Sequence, residues 1–149
     1  MKRYKSIVSE GILSSFSDIR GSSLINHVSN SYDIEAALGF AGLYCPELIE
    51  VEGCVFIAEF YNDNIESLKA QYSDRKDIEM FVNSWSLETL LVENSALDYR
   101  IDYIGEFAKA IQYFWEVRVK EVFPDRNISV IIGEEIGGEI GLTVTLFQE

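Results

Sequence analysis

The stretch from Tyr103 to Val122 constrains this chain more than any other. Phe107, Ala110, Ile111, Phe114, Trp115, Val119 and Val122 recur at three- and four-residue intervals, with Arg118 the polar exception on their face. Glu106, Lys109, Gln112, Glu116 and Lys120 fall on the other side. That period marks an amphipathic helix, which in water is stable mainly through what its apolar stripe packs against. Each large side chain buried there contributes about 1.5–3 kcal/mol. The rest of the chain must supply the surface.

The chain end offers one. Pro124-Asp125-Arg126-Asn127 breaks the helix, and Ile128–Ile132 and Leu142–Phe147 then read as two strands joined through Gly133 to Gly141. Leu142, Val144 and Leu146 alternate with Thr143, Thr145 and Phe147, giving one aliphatic face and one mixed face. Upstream, Val55, Phe56, Ile57 and Phe60 suit a mostly buried strand within Leu48 to Tyr61, and a sheet completed by Val55–Phe60 is expected.

Helices account for much of what remains. Tyr32 to Tyr44 repeats Ile34, Ala37, Leu38, Ala41 and Tyr44, with Asp33 and Glu35 at the end that the helix dipole favours for acids. Gly39 and Gly42 are expected to permit close packing, and Cys45-Pro46 ends the helix. Asn62-Asp63-Asn64 reads as a turn and N-cap for a helix from Ile65 to about Tyr72. Asp74 caps the next, whose apolar face is expected to be Ile78, Phe81, Val82 and Trp85. Ser86 offers a cap for a short helix buried by Leu90, Leu91 and Val92. The expected fold is α+β: a single domain over 32–149 with several helices and a small, mainly antiparallel sheet. Residues 1–31 read as a loosely organised, serine-rich arm. At 149 residues the chain suffices for one real core.

Charge narrows the function classes. From Gly21 to Leu68 there are eight carboxylates and no Lys or Arg, and the whole chain carries 25 acidic against 12 basic side chains, a net charge of −13. Such a field repels nucleic-acid backbones and anionic membrane surfaces but steers a cationic protein toward a complementary patch. No apolar run approaches a membrane span. Lys2, Arg3 and Lys5 precede no continuous apolar stretch of the secretory type, so a cytoplasmic location is expected. In that setting Cys45 and Cys54, nine positions apart, read as two thiols rather than a disulfide. His27 is the only histidine, a thin basis for zinc.

No catalytic set assembles, and no cofactor is expected. The serines around His27 lack a Gly-x-Ser-x-Gly elbow. Glu134, Glu135 and Glu139 among glycines match no calcium loop and read as solvated. Asp98, Asp102 and Glu106, spaced by four, would stack like charges on one helix face beside Tyr99 and Tyr103. Trp85 and Trp115 fall on faces expected to be core.

Three segments also carry a resemblance. Pro46 through Glu50-Val51-Glu52-Gly53-Cys54-Val55-Phe56, then Ile78-Glu79…Asn83, then Phe123-Pro124-Asp125-Arg126…Thr143-Val144-Thr145-Leu146-Phe147-Gln148 are similar to small acidic uncharacterised bacterial proteins. Some of those are thought to be immunity proteins encoded beside polymorphic toxins. The resemblance covers roughly 32–149 and implies a single-domain inhibitor that occludes a basic toxin by binding. In that reading Asp33, Glu35, Glu47, Glu50, Glu52, Asp63 and Glu66 supply steering, and Tyr32 or Tyr61 an aromatic anchor. Two alternatives stand beside it. One is a small-molecule or metal-binding enzyme with an acidic cleft of Asp98, Asp102, Tyr99 and Glu134 or Glu135. The other is a structural adaptor or homo-oligomer.

Overall fold

Glu52 and Gly53 turn the chain back on itself with positive φ at both residues, 50° and 85°. A two-residue turn of this kind matches the twist of the strands it joins, and glycine takes the second position without a Cβ penalty. It closes a hairpin of β1 (Leu48–Val51) and β2 (Cys54–Ile57), in register from Val51↔Cys54 to Leu48↔Ile57. A computed structural model describes residues 2–3, 6–14, 24–31, 33–88 and 101–149 of the protein.

Before the hairpin come α1 (Glu10–Ser14), α2 (Leu24–Ser31) and α3 (Ile34–Tyr44). After it a short 3-10 turn, Ala58–Phe60, leads to α4 (Ile65–Gln71), α5 (Arg75–Asn83) and the two-residue β3 (Trp85–Ser86). The long helix α6 (Ile101–Val122) precedes β4 (Ile128–Glu134) and β5 (Leu142–Gln148). Strands β3, β5 and β4 form a second antiparallel sheet, with β5 in the centre and β4 paired along it from Ile128↔Gln148 to Glu134↔Leu142. The protein is a single α+β domain with six helices among the described residues and two small antiparallel sheets.

The single sheet expected from the sequence is thus split, and Ala58–Phe60 is a 3-10 turn rather than strand. Two side chains of α5 explain the split. Glu79 Oε1 accepts from Val55 N at 2.7 Å and from Gln148 Nε2 at 2.6 Å, and Oε2 accepts from Gln148 N at 2.6 Å. One turn later, Asn83 Oδ1 accepts from Ile57 N at 2.9 Å. Its Nδ2 donates to Val55 O at 2.9 Å and Leu146 O at 3.0 Å. Both side chains are fully buried. They satisfy strand-edge groups of β2 and β5 that would otherwise be buried without partners. Because β3 pairs only with Thr143 and Val144, the edge of β5 at Leu146 and Gln148 stays open to α5.

The face of α5 is therefore not the expected one. Ile78 and Val82 face inward, but with Glu79 and Asn83; Phe81 is exposed, and Trp85 lies in β3. Asp74 does cap the helix, accepting from Lys76 N at 2.9 Å. Asn64 stands at the N-cap of α4 but makes no side-chain capping bond. Ser86 belongs to β3, where its hydroxyl donates to Ile140 O at 2.6 Å. Leu90, Leu91 and Val92 lie outside the described residues.

Helix α6 lies where its periodicity places it, except that Val122 of the expected stripe is exposed. Gln112, expected on the outer side, is half-buried and donates from Nε2 to Val130 O at 2.8 Å. Ile111, Trp115 and Val119 pack with Val55 and Ile57 from one sheet and Val130, Val144 and Leu146 from the other. On the opposite face of the hairpin, Cys54 and Phe56 pack with Leu68 of α4 and Ile78 of α5. The mixed face of β5 is also buried. There Thr145 Oγ1 donates to Met80 O at 3.3 Å, and the Lys76 ammonium sits 4.2 Å from the centre of the Phe147 ring.

Candidate protein-binding face and cleft

Helix α3 is apolar nearly all round, yet none of its residues is buried. Ile34, Leu38 and Phe40 are 75%, 66% and 45% exposed. A helix of that composition ordinarily sits inside a protein. Its first turn is fixed by Asp33, which accepts from Ala36 N at 2.8 Å. The helix docks through its last two turns, where Phe40 meets the Phe107 ring edge-on with centres 6.4 Å apart. Leu43 packs on the α6 core, and the Tyr44 ring lies 4.8 Å from Phe114 and 6.2 Å from Phe107. Trp115 Nε1 donates to Leu43 O at 3.0 Å, and burial pushes the Tyr44 phenol above its ordinary range. The helix is anchored at its C-terminal end and presents the remainder to solvent.

Close packing at Gly39 and Gly42 does not occur. A Cβ added at either would meet nothing within 4 Å. Their bare backbone borders a cleft of about 690 Å³ instead. Trp115 and Ile57 form its floor, Trp85 and Phe60 contribute to its wall, and the exposed Glu47 and Glu59 reach its rim. Ala58 N donates to Glu47 O at 2.9 Å, extending the hairpin by one pair beyond Leu48↔Ile57.

The acidic residues singled out in the sequence do not form one patch. Glu47 and Glu52 flank opposite ends of β1. Glu50 pairs with Arg126 at 2.7 Å, and Glu52 pairs with Lys69. Asp33 is engaged as a cap, Glu35 is exposed on α3, and Asp63 and Glu66 are exposed around the start of α4. Tyr61 is half-buried and stacks on Phe56 at 4.9 Å; its hydroxyl is enclosed without a hydrogen-bond partner among the described residues. Tyr32 lies outside the described residues.

The alternative acidic cleft is only partly visible. Asp98 and Tyr99 lie outside the described residues, while Asp102, Glu134 and Glu135 are exposed. Among the described residues, no three His, Cys, Asp or Glu side chains are grouped to hold a metal ion. His27 is buried, with its Nδ1 3.4 Å from Ser31 Oγ. Cys45 is exposed and Cys54 buried, both as free thiols. Among the described residues no helix is long and apolar enough to cross a membrane.

Two features were missed in the sequence: Glu59 as a second acid lining the cleft, and the cleft itself, since both tryptophans that line it read as core. One signal was present. Between Ala36 and Tyr44 no charged residue interrupts α3, so that part of the helix lacks the polar face of an ordinary surface helix.

These features define a small α+β domain in which one long helix covers two sheets and an exposed apolar helix borders an acid-rimmed cleft. Residues 22–144 match the model of the Uncharacterized protein PM0498 family, and the chain belongs to that family. No curated protein and no solved structure matches it.

Proposed function

We propose that the chain is a non-catalytic protein-binding domain that covers a cationic partner, as an immunity protein occludes its toxin. The exposure of Ile34, Leu38 and Phe40 on α3 carries this reading. Leaving a side chain of that size in water forgoes about 1.5–3 kcal/mol each. Apolar patches rimmed by polar groups mark surfaces that meet another protein. Glu35, Glu47 and Glu59 stand on or beside that helix and give the approach of a basic partner its direction.

The test is to mix the purified chain with the product of its neighbouring gene and measure the mass by size exclusion with light scattering. A one-to-one complex that dissociates as salt rises is expected. Separate elution of the two proteins contradicts the proposal, and a dimer of the chain alone replaces it with self-association.

A further inference from the structure

We propose that the exposed face of α3 docks an amphipathic helix of the partner, one whose apolar stripe is flanked by lysine and arginine. This rests on the protein-binding reading and specifies which element of a cationic partner is bound. The main chain of α3 is spent on its own helix, so it has no strand edge to offer and presents side chains only. Ile34, Ala37, Leu38 and Ala41 are all exposed. Their spacing by three and four sets them on one face, in a stripe about 10 Å long. Phe40, Leu43 and Tyr44 lie on the other face, packed on α6. The relief of the exposed face suits a second helix, because helices pack by entering a row of side chains into the groove between two rows. Ile34 and Leu38 form one raised row, which Gly42 continues. The row beside it, Ala37 and Ala41, is low; the row on its other flank runs from Glu35 to Gly39 and is low at the glycine. A Cβ at Gly39 or Gly42 would meet nothing within 4 Å, so among the described residues no other element fills those grooves.

Charge selects the flanks of the docked helix. Glu35 stands beside the raised row, and Glu47 and Glu59 line the cleft that Gly39 and Gly42 border. From Leu24 to Leu68 the sequence has no Lys or Arg. Arg118, which reaches Pro46 O, is already paired with Glu121. A helix with acidic flanks would be repelled here. So would a second copy of this chain, which brings the same acids and a net charge of −13. Lysine and arginine place their ends toward the acids while their stems cover apolar surface.

A synthetic helix of about 18 residues, with leucine along one stripe and lysine elsewhere, serves as the probe. The full chain is titrated with it by calorimetry, with a peptide of the same composition in scrambled order, and with the stripe peptide carrying glutamate for lysine. Saturable one-to-one binding of the first alone is expected. Ile34→Ser/Leu38→Ser should weaken it at least about tenfold. Gly39→Gln/Gly42→Gln should weaken it as much while raising the melting temperature of the free chain, since glutamine is the better helix former and its Cβ meets nothing. Asp77→Asn/Asp125→Asn removes two exposed acids from α5 and the turn after α6, and should leave the affinity within about twofold. Equal binding of the scrambled or the glutamate peptide, no saturation, or binding that survives either α3 variant would overturn the proposal. So would a dimer of the chain alone that Ile34→Ser/Leu38→Ser abolishes, which would give the face to a second copy. A complex with the neighbouring gene's product that survives both α3 variants overturns the helix dock and leaves the protein-binding reading intact. Binding of the stripe peptide with no such complex keeps the dock and removes that neighbour as the partner.

Discussion

Glu79 accepts both the main-chain and the side-chain N–H of Gln148, at 2.6 Å each, across the seam between two sheets. The same carboxylate takes Val55 N, so one buried group ties the hairpin to the C-terminal strand. Burying a charge is costly unless donors surround it, and here three N–H groups do. Asn83 repeats the arrangement one turn later. The seam holds the hairpin, and with it the cleft, in place against α6.

Removing Glu79 should therefore cost more than an ordinary surface change. Glu79→Ala leaves the buried Val55 and Gln148 main-chain N–H groups without a partner and Gln148 Nε2 with Gly53 O alone, and a loss of about 3–5 kcal/mol is expected. Urea denaturation with an unchanged slope reads it directly. A loss below about 1 kcal/mol would mean that the seam is not structural.

The two cysteines should behave oppositely. Cys45 is exposed and Cys54 is buried, so a thiol reagent should label Cys45 quickly and Cys54 only on unfolding. Burial, and then the neighbouring Glu79 charge, push the Cys54 thiol above its ordinary 9.0. The folded state therefore holds that proton more tightly than the unfolded state. Its contribution to stability is present below 9.0 and is lost as pH rises through the folded value. Equal labelling rates for the two thiols would contradict this.

The Glu149 side chain gives a second pH test, of opposite sign. Ser129 Oγ donates to Glu149 at 2.7 Å and Lys76 Nζ lies 3.3 Å away, holding the carboxyl below its ordinary 4.5. Its contribution is present above 4.5 and is lost as pH falls through the folded value. In Ser129→Ala the midpoint, followed by carboxyl NMR, should move back up. An unmoved midpoint would remove Ser129 as the main cause.

Two glycines should respond to alanine with opposite signs. Gly105 lies in α6, and a Cβ there meets nothing within 4 Å, so Gly105→Ala should stabilise by about 0.5–1 kcal/mol. Gly137 has φ +62°, and a Cβ there would stand 2.8 Å from Met80 O. Gly137→Ala should destabilise the fold. Thermal melts of the two variants check the pair, and shifts of the same sign would contradict it.

How much of this was legible depended on where each residue's partners lie. The α6 stripe, the end of α3 before Pro46, the Asp74 cap and the β4–β5 pair follow from periodicity and local turn chemistry. The seam does not. Glu79 and Asn83 look like solvent-facing positions because their partners, Val55, Ile57, Leu146 and Gln148, are distant in sequence. The exposure of α3 was hidden for the converse reason: Ile34 and Leu38 have helical spacing, but spacing says nothing of whether another element covers them. For the cleft, two tryptophans on apolar faces read as core, and Trp115 is indeed 1% exposed while still forming the cleft floor.

Steering should separate from docking. Glu35→Gln with Glu47→Gln and Glu59→Gln should slow association with a basic partner and flatten its salt dependence. Stopped-flow association at two ionic strengths measures both, and an unchanged rate would remove the electrostatic part of the account.

The most direct measurement is affinity capture of the tagged chain from its native cells, beside a Leu38→Asp/Phe40→Asp variant, at low and moderate salt with mass spectrometric identification. Leu38 is 66% exposed and Phe40 keeps only ring-edge packing on Phe107 and Tyr44, so the fold should persist, which a thermal melt of the variant checks. The account predicts a stoichiometric basic protein, encoded next to the chain, that is released by salt and absent from the variant. Recovery of the wild-type chain alone, with that neighbour expressed and detectable, would contradict it.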